Sequence, residues 1–475
     1  MSQVKTIFKN TSWLSISQVI TSVCAFLWTI IIARYLGVAD YGIVSFAISF
    51  NLLLGIIMDI GMSTYVTREI AKHKELVYKY TNNIFFVKLI LAIILFFISG
   101  ILLFLMGYSN LTILVTLVFT LEAIFISMTG YLNAVFQAFE DLKYQSIGTI
   151  LNSGFLLLGI LITISFNWGV LAVAVSYAIA YSIYFSFMLA RYIKRFNFPK
   201  FELDLSFIKE VIINSVPFGL TNFFYNIYFS IDVVMLSYLA GDYATGLYKS
   251  AYNIINVFTT FFIVYQGVFF PVMSKFFQES RDLIKVSYEL SVKYLLLLIM
   301  PISIGVFFYA RPIIDLIYSN QYSLASIPMQ ILIWTVAFLF VNGAASILLN
   351  AVDRERIVTK IYIVAAIFNI VLNLILIPQF SYNGAAIATV LSEILITGLT
   401  LYYVFKTDYK PDFALLKNII KIVLATIVLG IVFYFTNVSL WLAIPMGLVV
   451  YLVAIILFKS IDENDKYIIN ELLGK

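Results

Sequence analysis

Hydrophobic residues run along this chain in long blocks rather than in alternation. Fourteen blocks stand out, at roughly 11–34, 41–66, 80–107, 111–138, 145–166, 168–192, 211–239, 246–272, 287–310, 326–351, 357–378, 384–405, 416–436 and 440–459. Most have the about 20 residues that a helix needs to cross the hydrocarbon of a bilayer. They are continuously apolar, so they predict helices and not the every-second-residue pattern of a membrane barrel. Asn and Gly interrupt the blocks near 155 and 368, which are the weakest. The expected fold class is an all-α integral membrane protein with 14 transmembrane helices.

The polar punctuation between blocks repeats. Arg34-Tyr35-Leu36-Gly37-Val38-Ala39-Asp40-Tyr41-Gly42 separates the first two blocks. A weaker copy, Tyr238-Leu239-Ala240-Gly241-Asp242-Tyr243-Ala244-Thr245-Gly246, separates the seventh and eighth, 203 residues later. Gln137-Ala138-Phe139-Glu140 aligns with Asn350-Ala351-Val352-Asp353 at offset 213, and the sixth block opens at Gly169 as the twelfth opens at Gly384. Six blocks per copy is an even number, so both copies enter from the same side. That predicts a parallel repeat about an axis along the membrane normal, with a substrate path between the lobes. The expected organisation is an N-terminal six-helix lobe (1–194), a cytoplasmic linker (195–210), a C-terminal six-helix lobe (211–406), and helices 13 and 14 with a cytoplasmic tail (407–475). Helices 13 and 14 have no counterpart and are expected to lie against lipid or to form a groove for a lipid tail.

Composition agrees with lipid as the solvent. Of 475 residues 62% are hydrophobic and 12% charged. A soluble domain so built would expose large apolar patches. Phe and Tyr together number 75, enough to belt both interfaces as well as fill cores. With the N-terminus and every even-numbered loop on one side, that side holds 26 of the 30 Lys and Arg residues. Arg34, Lys249 and Arg311 fall on the other side and Lys88 within a block. The asymmetry predicts a multi-pass protein of the cell membrane with both termini cytoplasmic. The net charge of +5 therefore reflects loop bias, and no nucleic-acid partner is expected. Lys5 and Lys9 before the run 13–33 suggest a retained signal anchor. One Cys (Cys24) and one His (His73) exclude a disulfide framework and a Cys/His metal site. Cys24 is expected to be a small core residue and His73 a solvated loop residue. No cofactor is expected, and the outer loops are too short for a catalytic domain.

Charges inside the blocks are the functional candidates, because burial in lipid is costly. Asp59, Glu122 and Glu393 are candidate coupling residues. For Asp59, at an inner end, a solvated position with Arg68 nearby competes with that reading. For Glu122 and Glu393, a hydrogen-bonded structural carboxyl competes equally. The seventh and eighth blocks are the most polar pair. Asn222, Tyr225, Asn226 and Asp232 share one helical face, and Lys249, Asn253 and Asn256 share another with Tyr252 beside them. Asp232 and Lys249 are expected at similar depth, within reach of pairing. Either these faces line a hydrated cavity for a polar head group, or they are polar glue between helices. Lys88 either enters the cavity or snorkels to the inner surface. Pro217, Pro271 and Pro301 are candidate hinges. Gly241 to Ser250 imitates a phosphate loop, but its Lys does not follow the second Gly, and no hydrolytic motif is present.

Several motifs resemble one family. Asn10-Thr11-Ser12-Trp13-Leu14 with Gln18, the Ala33-to-Gly42 turn, and Asp59-Ile60-Gly61-Met62-Ser63 followed by Thr67-Arg68-Glu69-Ile70-Ala71 are similar to the polysaccharide biosynthesis transporters. These are the O-antigen-type flippases of the multidrug/oligosaccharidyl-lipid/polysaccharide exporter superfamily. Ala310-Arg311-Pro312-Ile313-Ile314-Asp315-Leu316 with Tyr322, and Asn383-Gly384-Ala385-Ala386-Ile387-Ala388-Thr389, resemble later segments of the same family. The resemblance implies two six-helix bundles in a V, alternating access, and a polyprenyl-(di)phosphate-linked oligosaccharide as substrate. Arg34, Lys88 and Lys249 are then the candidate cations for phosphate, and Tyr225, Tyr228 and Tyr252 candidate platforms for sugar faces. The lipid II branch carries several Arg on the first helix, whereas this chain has Gln18, Thr21, Ser22 and Thr29. Lipid II is therefore the less expected cargo. Three alternatives stay open: a flippase, a cation-coupled (H+ or Na+) exporter of drugs or small solutes, and a membrane polymerase or ligase. The short outer loops count against the last. A flippase of this design would work as a monomer beside a separate glycan polymerase or ligase.

Overall fold

The computed structural model describes residues 3–279, 281–436 and 438–460, without the side chains of 3–12, 14, 15, 221, 222, 225, 278, 279 and 281. Among the described residues all regular structure is helical. The helices are α1 (Gln3–Leu54), α2 (Ile56–Asp59), α3 (Met62–Lys72), α4 (Val77–Leu105), α5 (Asn110–Ala138), α6 (Lys143–Ser165), α7 (Gly169–Phe196), α8 (Leu205–Glu279), α9 (Arg281–Tyr318), α10 (Ser326–Ala351), α11 (Glu355–Phe405), α12 (Phe413–Thr436) and α13 (Leu440–Leu457). Short 3₁₀ helices, Lys74–Leu76 and Asn320–Ala325, precede α4 and α10.

Eleven segments of the described residues are long and apolar enough to cross a membrane. Three of them, of 44, 52 and 51 residues, are far too long for one crossing. A 44-residue helix measures about 66 Å, twice the roughly 30 Å hydrocarbon core. Each is broken once: α1 at Gly37 (φ 74°, ψ 179°), α8 at Gly241 (φ 85°, ψ 175°) and α11 at Ser381 (φ 51°, ψ −133°). The eleven fall three short of the expected fourteen, because these one-residue breaks leave no loop between neighbouring blocks. Gly37 and Gly241 hold nearly the same left-handed geometry, which glycine adopts without a Cβ penalty. They are 204 residues apart, so the structural repeat is shifted by one residue from the sequence alignment. In α11 a Cβ on Gly384 would fall 2.2 Å from the Leu376 carbonyl oxygen, so only glycine fits there. None of these breaks falls at a proposed proline hinge. In α9 the backbone leaves helical geometry at Tyr309, three residues before Pro312, and not at Pro301. Pro312 lacks an N–H and crowds the carbonyl one turn before it.

The chain forms two compact units, Met1–Gly246 and Leu247–Lys475. One buried cluster of the first joins α3, α4, α5 and α7, where Tyr80, Tyr131, Phe136 and Tyr192 are buried together with Phe207 of α8. Residues 197–204, the non-helical part of the expected linker, are pinned to α4. The Asn82 amide donates to Glu202 (2.9 Å) and its oxygen accepts from the Lys200 N–H (2.8 Å). Asn83 accepts from the Asp204 N–H at 2.8 Å. In the motif around Gly37, the Tyr35 hydroxyl accepts from the Gly169 N–H (2.8 Å) and so ties the α6–α7 turn to α1. In the second unit, α12 and α13 pack on α9 through Tyr309, Leu429, Phe433 and Tyr451. Buried Asn369 and Asn373 bond to each other at 2.9 Å, which accounts for the polar interruption near 368. His73 is exposed beside Glu75, as expected, whereas Cys24 is half-buried rather than core.

Candidate functional site: a polar cavity in the first unit

A cavity of about 370 Å³ lies in the first unit. Its polar lining comes from Asn51, Asp59, Ser63, Glu122, Ser127 and Asn226. Helical spacing explains the set. Asn51, Gly55 and Asp59 follow one another at four-residue intervals, as do Glu122, Ile126 and Gly130, so each series faces one way. After Asp59 the chain turns through two left-handed residues, Ile60 (φ 45°) and Gly61 (φ 82°). That turn restarts the helix as α3 and brings Ser63 back onto Asp59.

Asp59 and Lys88 form an ion pair at 2.7 Å. Lys88 is 0% exposed and Asp59 30%. The Lys88 ammonium also donates to the Met58 carbonyl (3.0 Å) and the Ser127 hydroxyl (2.8 Å). Its three protons are thereby used. Asp59 accepts from the Ser63 hydroxyl (2.5 Å) and the Ser63 N–H (3.3 Å). For each of these two residues one of the alternatives left open by the sequence falls away. Lys88 does not snorkel, because its anion lies inside the bundle. Asp59 is not a solvated end beside Arg68. Arg68 pairs with Glu69 at 2.8 Å and lies over the Tyr65 and Phe218 rings. A lone cation in lipid demands an anion at its own depth, and both residues sit about the same number of positions from an end of their blocks. That signal was present in the sequence.

Glu122 is 7% exposed and makes no hydrogen bond or ion pair among the described residues. Asn51 is 4% exposed. Its amide donates to the Ala47 carbonyl (2.9 Å) and the Thr116 carbonyl (3.3 Å), and its oxygen is buried without a partner. Asn226 is half-buried on the cavity wall.

Two backbone-to-backbone contacts flank this wall. A Cβ on Gly42 would fall 1.8 Å from the Asp242 carbonyl oxygen, and one on Gly246 would fall 2.0 Å from that of Val38. The contact is reciprocal, since 42 and 246, and 38 and 242, are each 204 apart. At the other end, a Cβ on Gly61 would lie 2.5 Å from the Gly219 nitrogen and the Ser215 carbonyl oxygen. One on Gly219 would lie 2.5 Å from the Ile60 carbonyl carbon. Along α1 and α2, and along α8, the cavity residues fall between these glycines.

The remaining candidates are dispersed. Arg34 is exposed, and it is not among the residues lining the cavity. Asp232 is buried in the first unit. Tyr228 is buried edge-on against Phe229, so it is not an open sugar platform. In the second unit Lys249 is half-buried with its ammonium 5.5 Å from the Tyr252 ring, and Tyr252 stacks on Tyr248. Asn253 and Asn256 are half-buried, and the Asn256 carbonyl accepts from Thr259 and Thr260. Glu393 is buried and accepts from the Asn342 amide at 2.7 Å. The side chains of Asn222 and Tyr225 lie outside the described residues. Sequence reasoning also missed Lys293, counted with the loop cations. It is 3% exposed, within a membrane-length segment of α9.

Helices of membrane length, a repeated glycine break and a polar cavity inside the first unit define a multi-pass membrane protein of transporter type. The family model for "Polysaccharide biosynthesis protein" matches residues 7–277, and the chain belongs to that family. The MatE family model matches residues 217–375. The chain is 20% identical to the capsular polysaccharide biosynthesis protein CapF of Staphylococcus aureus, over 84% of this chain and 99% of CapF. It is 22% identical to the probable low-salt glycan biosynthesis flippase Agl15 of Haloferax volcanii, over 53% of this chain and 54% of that protein. Its fold is similar to that of the lipid II flippase MurJ in an inward closed conformation, with TM-score 0.77 and 17% identity over 94% of this chain and 98% of MurJ.

Proposed function

We propose that this chain is a flippase moving a polyprenyl-(di)phosphate-linked oligosaccharide from the inner to the outer leaflet, for assembly of a surface polysaccharide or glycan. The observation that carries this is the family match over residues 7–277, supported by likeness to CapF and Agl15. In this reading α1, α8 and α11 each cross twice, giving fourteen crossings with both termini cytoplasmic in the cell membrane. The lobes are 1–194 and 211–406, joined by 195–210, with 407–475 appended. The polar head enters the hydrated interior while the polyprenol stays in lipid. The glycine contacts at Gly42/Gly246 and Gly61/Gly219 part alternately. At each contact backbone lies directly against backbone. Lys88 is committed to Asp59, and Arg34 and Lys249 are the candidate cations for phosphate. The chain carries out no bond chemistry and hands its cargo to a separate glycan polymerase or ligase.

A cation-coupled exporter is the second reading. The MatE match over 217–375 favours it, as does Glu122, which has no partner among the described residues. The deciding experiment removes the protein from its cells and asks in which leaflet lipid-linked oligosaccharides reside. Accumulation in the inner leaflet with loss of surface glycan is expected. Unchanged glycolipids with new sensitivity to cationic drugs would replace the flippase by the exporter.

A further inference from the structure

A separate arrangement lies beyond the Gly61–Gly219 contact, outside the cavity lining. Gly61 just before α3, with Tyr65, Arg68 and Lys72 on it, forms one helical stripe, and Asn214 and Phe218 share a stripe of α8. The two stripes meet. A Cβ on Gly61 would lie 2.9 Å from the Phe218 Cβ. The Asn214 amide donates to the Tyr65 hydroxyl at 3.4 Å. The Arg68 guanidinium lies 5.3 Å from the centre of the Tyr65 ring and 5.5 Å from that of Phe218. It therefore meets one ring from each side of the seam, both within the about 6 Å reach of a cation–π contact.

Most of the donors on Arg68 are unused. Its Nε donates to Glu69 at 2.8 Å, whereas the two terminal nitrogens donate to no group among the described residues. The side chain is half exposed. Lys72, one turn further on, shares Glu69 at 3.4 Å. Two cations thus share one carboxylate and leave a positive charge. Ring contact occupies the faces of a guanidinium and leaves its edge free. That edge is the fork that matches two phosphate oxygens. Arg68 also falls between the ends of two membrane-length segments, which places it at the depth of lipid headgroups.

We propose that Arg68, with Lys72 beside it, is a binding site for a phosphate group, and that a bound phosphate fastens α3 to α8. Phe218 steadies the fork only while α8 lies against α3. Phosphate therefore binds the closed seam better than the open one, and by linkage holds it closed. Lys88 is no part of this site, since its protons go to Asp59, Met58 and Ser127. A phospholipid headgroup and free inorganic phosphate both offer the required chemistry. Neither cargo nor transport enters the inference, so it stands or falls apart from the flippase reading.

The test uses the full chain carrying Cys24→Ser, with nitroxide labels at Thr64→Cys and Ile213→Cys, exposed positions of α3 and α8. Pulsed electron spin resonance reads the fraction of short distances, which is the closed seam. Nanodiscs of digalactosyl diacylglycerol, a lipid without phosphate, give the baseline. Phosphatidylglycerol, a sulfonate-headed glycolipid of the same charge, or inorganic phosphate in the buffer is then added. Phosphatidylglycerol is expected to raise the closed fraction, the sulfonate lipid is not, and Arg68→Gln should abolish the rise. Phe218→Leu should need about fivefold more phosphatidylglycerol for half the effect, the worth of one exposed cation–π contact. A rise with inorganic phosphate alone, also lost in Arg68→Gln, supports the site with free phosphate as its ligand. An equal rise with the sulfonate lipid overturns recognition of phosphate. No rise with either phosphate source when Arg68 is present, or a rise that persists in Arg68→Gln, overturns the site.

Discussion

Replacing Lys88 by Met removes the fully enclosed charge of the Asp59–Lys88 pair. At 2.7 Å the pair attracts by about 6 kcal/mol for an effective dielectric near 20. Desolvation of the fully enclosed ammonium offsets several kcal/mol of this. Breaking a fully buried pair costs about 3–5 kcal/mol, because the remaining charge is stranded. Asp59 is 30% exposed toward the cavity and regains some water, so the expected loss is about 2–3 kcal/mol. The Met58 carbonyl and the Ser127 hydroxyl lose a donor in the same step. The double variant Asp59→Asn/Lys88→Met removes both charges and should recover at least half of the loss. The assay is equilibrium unfolding in mixed detergent–SDS micelles, run as a double-mutant cycle. If the two single losses simply add in the double variant, the pair is not coupled and the reasoning fails. If Lys88→Met is as stable as the wild type but transport stops, Lys88 serves the substrate instead.

Three further outcomes follow from the geometry. Gly42→Leu places a side chain where the Asp242 carbonyl now sits, so α1 and α8 must separate there. A cysteine at Ser45, buried now, should then react faster with a membrane-impermeant maleimide, and an unchanged rate would show that this contact does not close the seam. Gly61→Ala should lower stability by about 2 kcal/mol or more, from left-handed strain at φ 82° together with contacts at 2.5 Å. Wild-type stability in SDS unfolding would contradict this. Glu393→Leu strands the buried Asn342 amide and should cost about 1–3 kcal/mol, whereas Glu393→Gln should cost less. Equal losses for the two would show that the carboxyl matters for its charge and not for this hydrogen bond.

Hydrophobic patterning made the membrane class and the succession of helices legible, because lipid forces each crossing to satisfy its own backbone within a long apolar run. The turn motifs around Gly37 and Gly241 were legible too, since left-handed backbone and close approach both select glycine. The segment 195–210 was legible as polar, but not its fastening by Asn82 and Asn83 at the start of α4, since sequence does not say which chain segment a helical amide meets. Among the candidate residues, the sequence marked Asp59, Lys88, Glu122 and Glu393 as intramembrane charges and left their roles open. Their environments separate them. Asp59 and Lys88 lie 29 positions apart, and only packing of α2, α4 and α5 brings them to 2.7 Å. Glu393 has a donor from a neighbouring helix, while Glu122 has none among the described residues. A charge pattern gives the depth of a group in the bilayer, one coordinate of three. The angular position of each helix and the distance between helices set which charges meet. Those follow from contacts such as Gly42 against Asp242, which exist only once the helices are assembled.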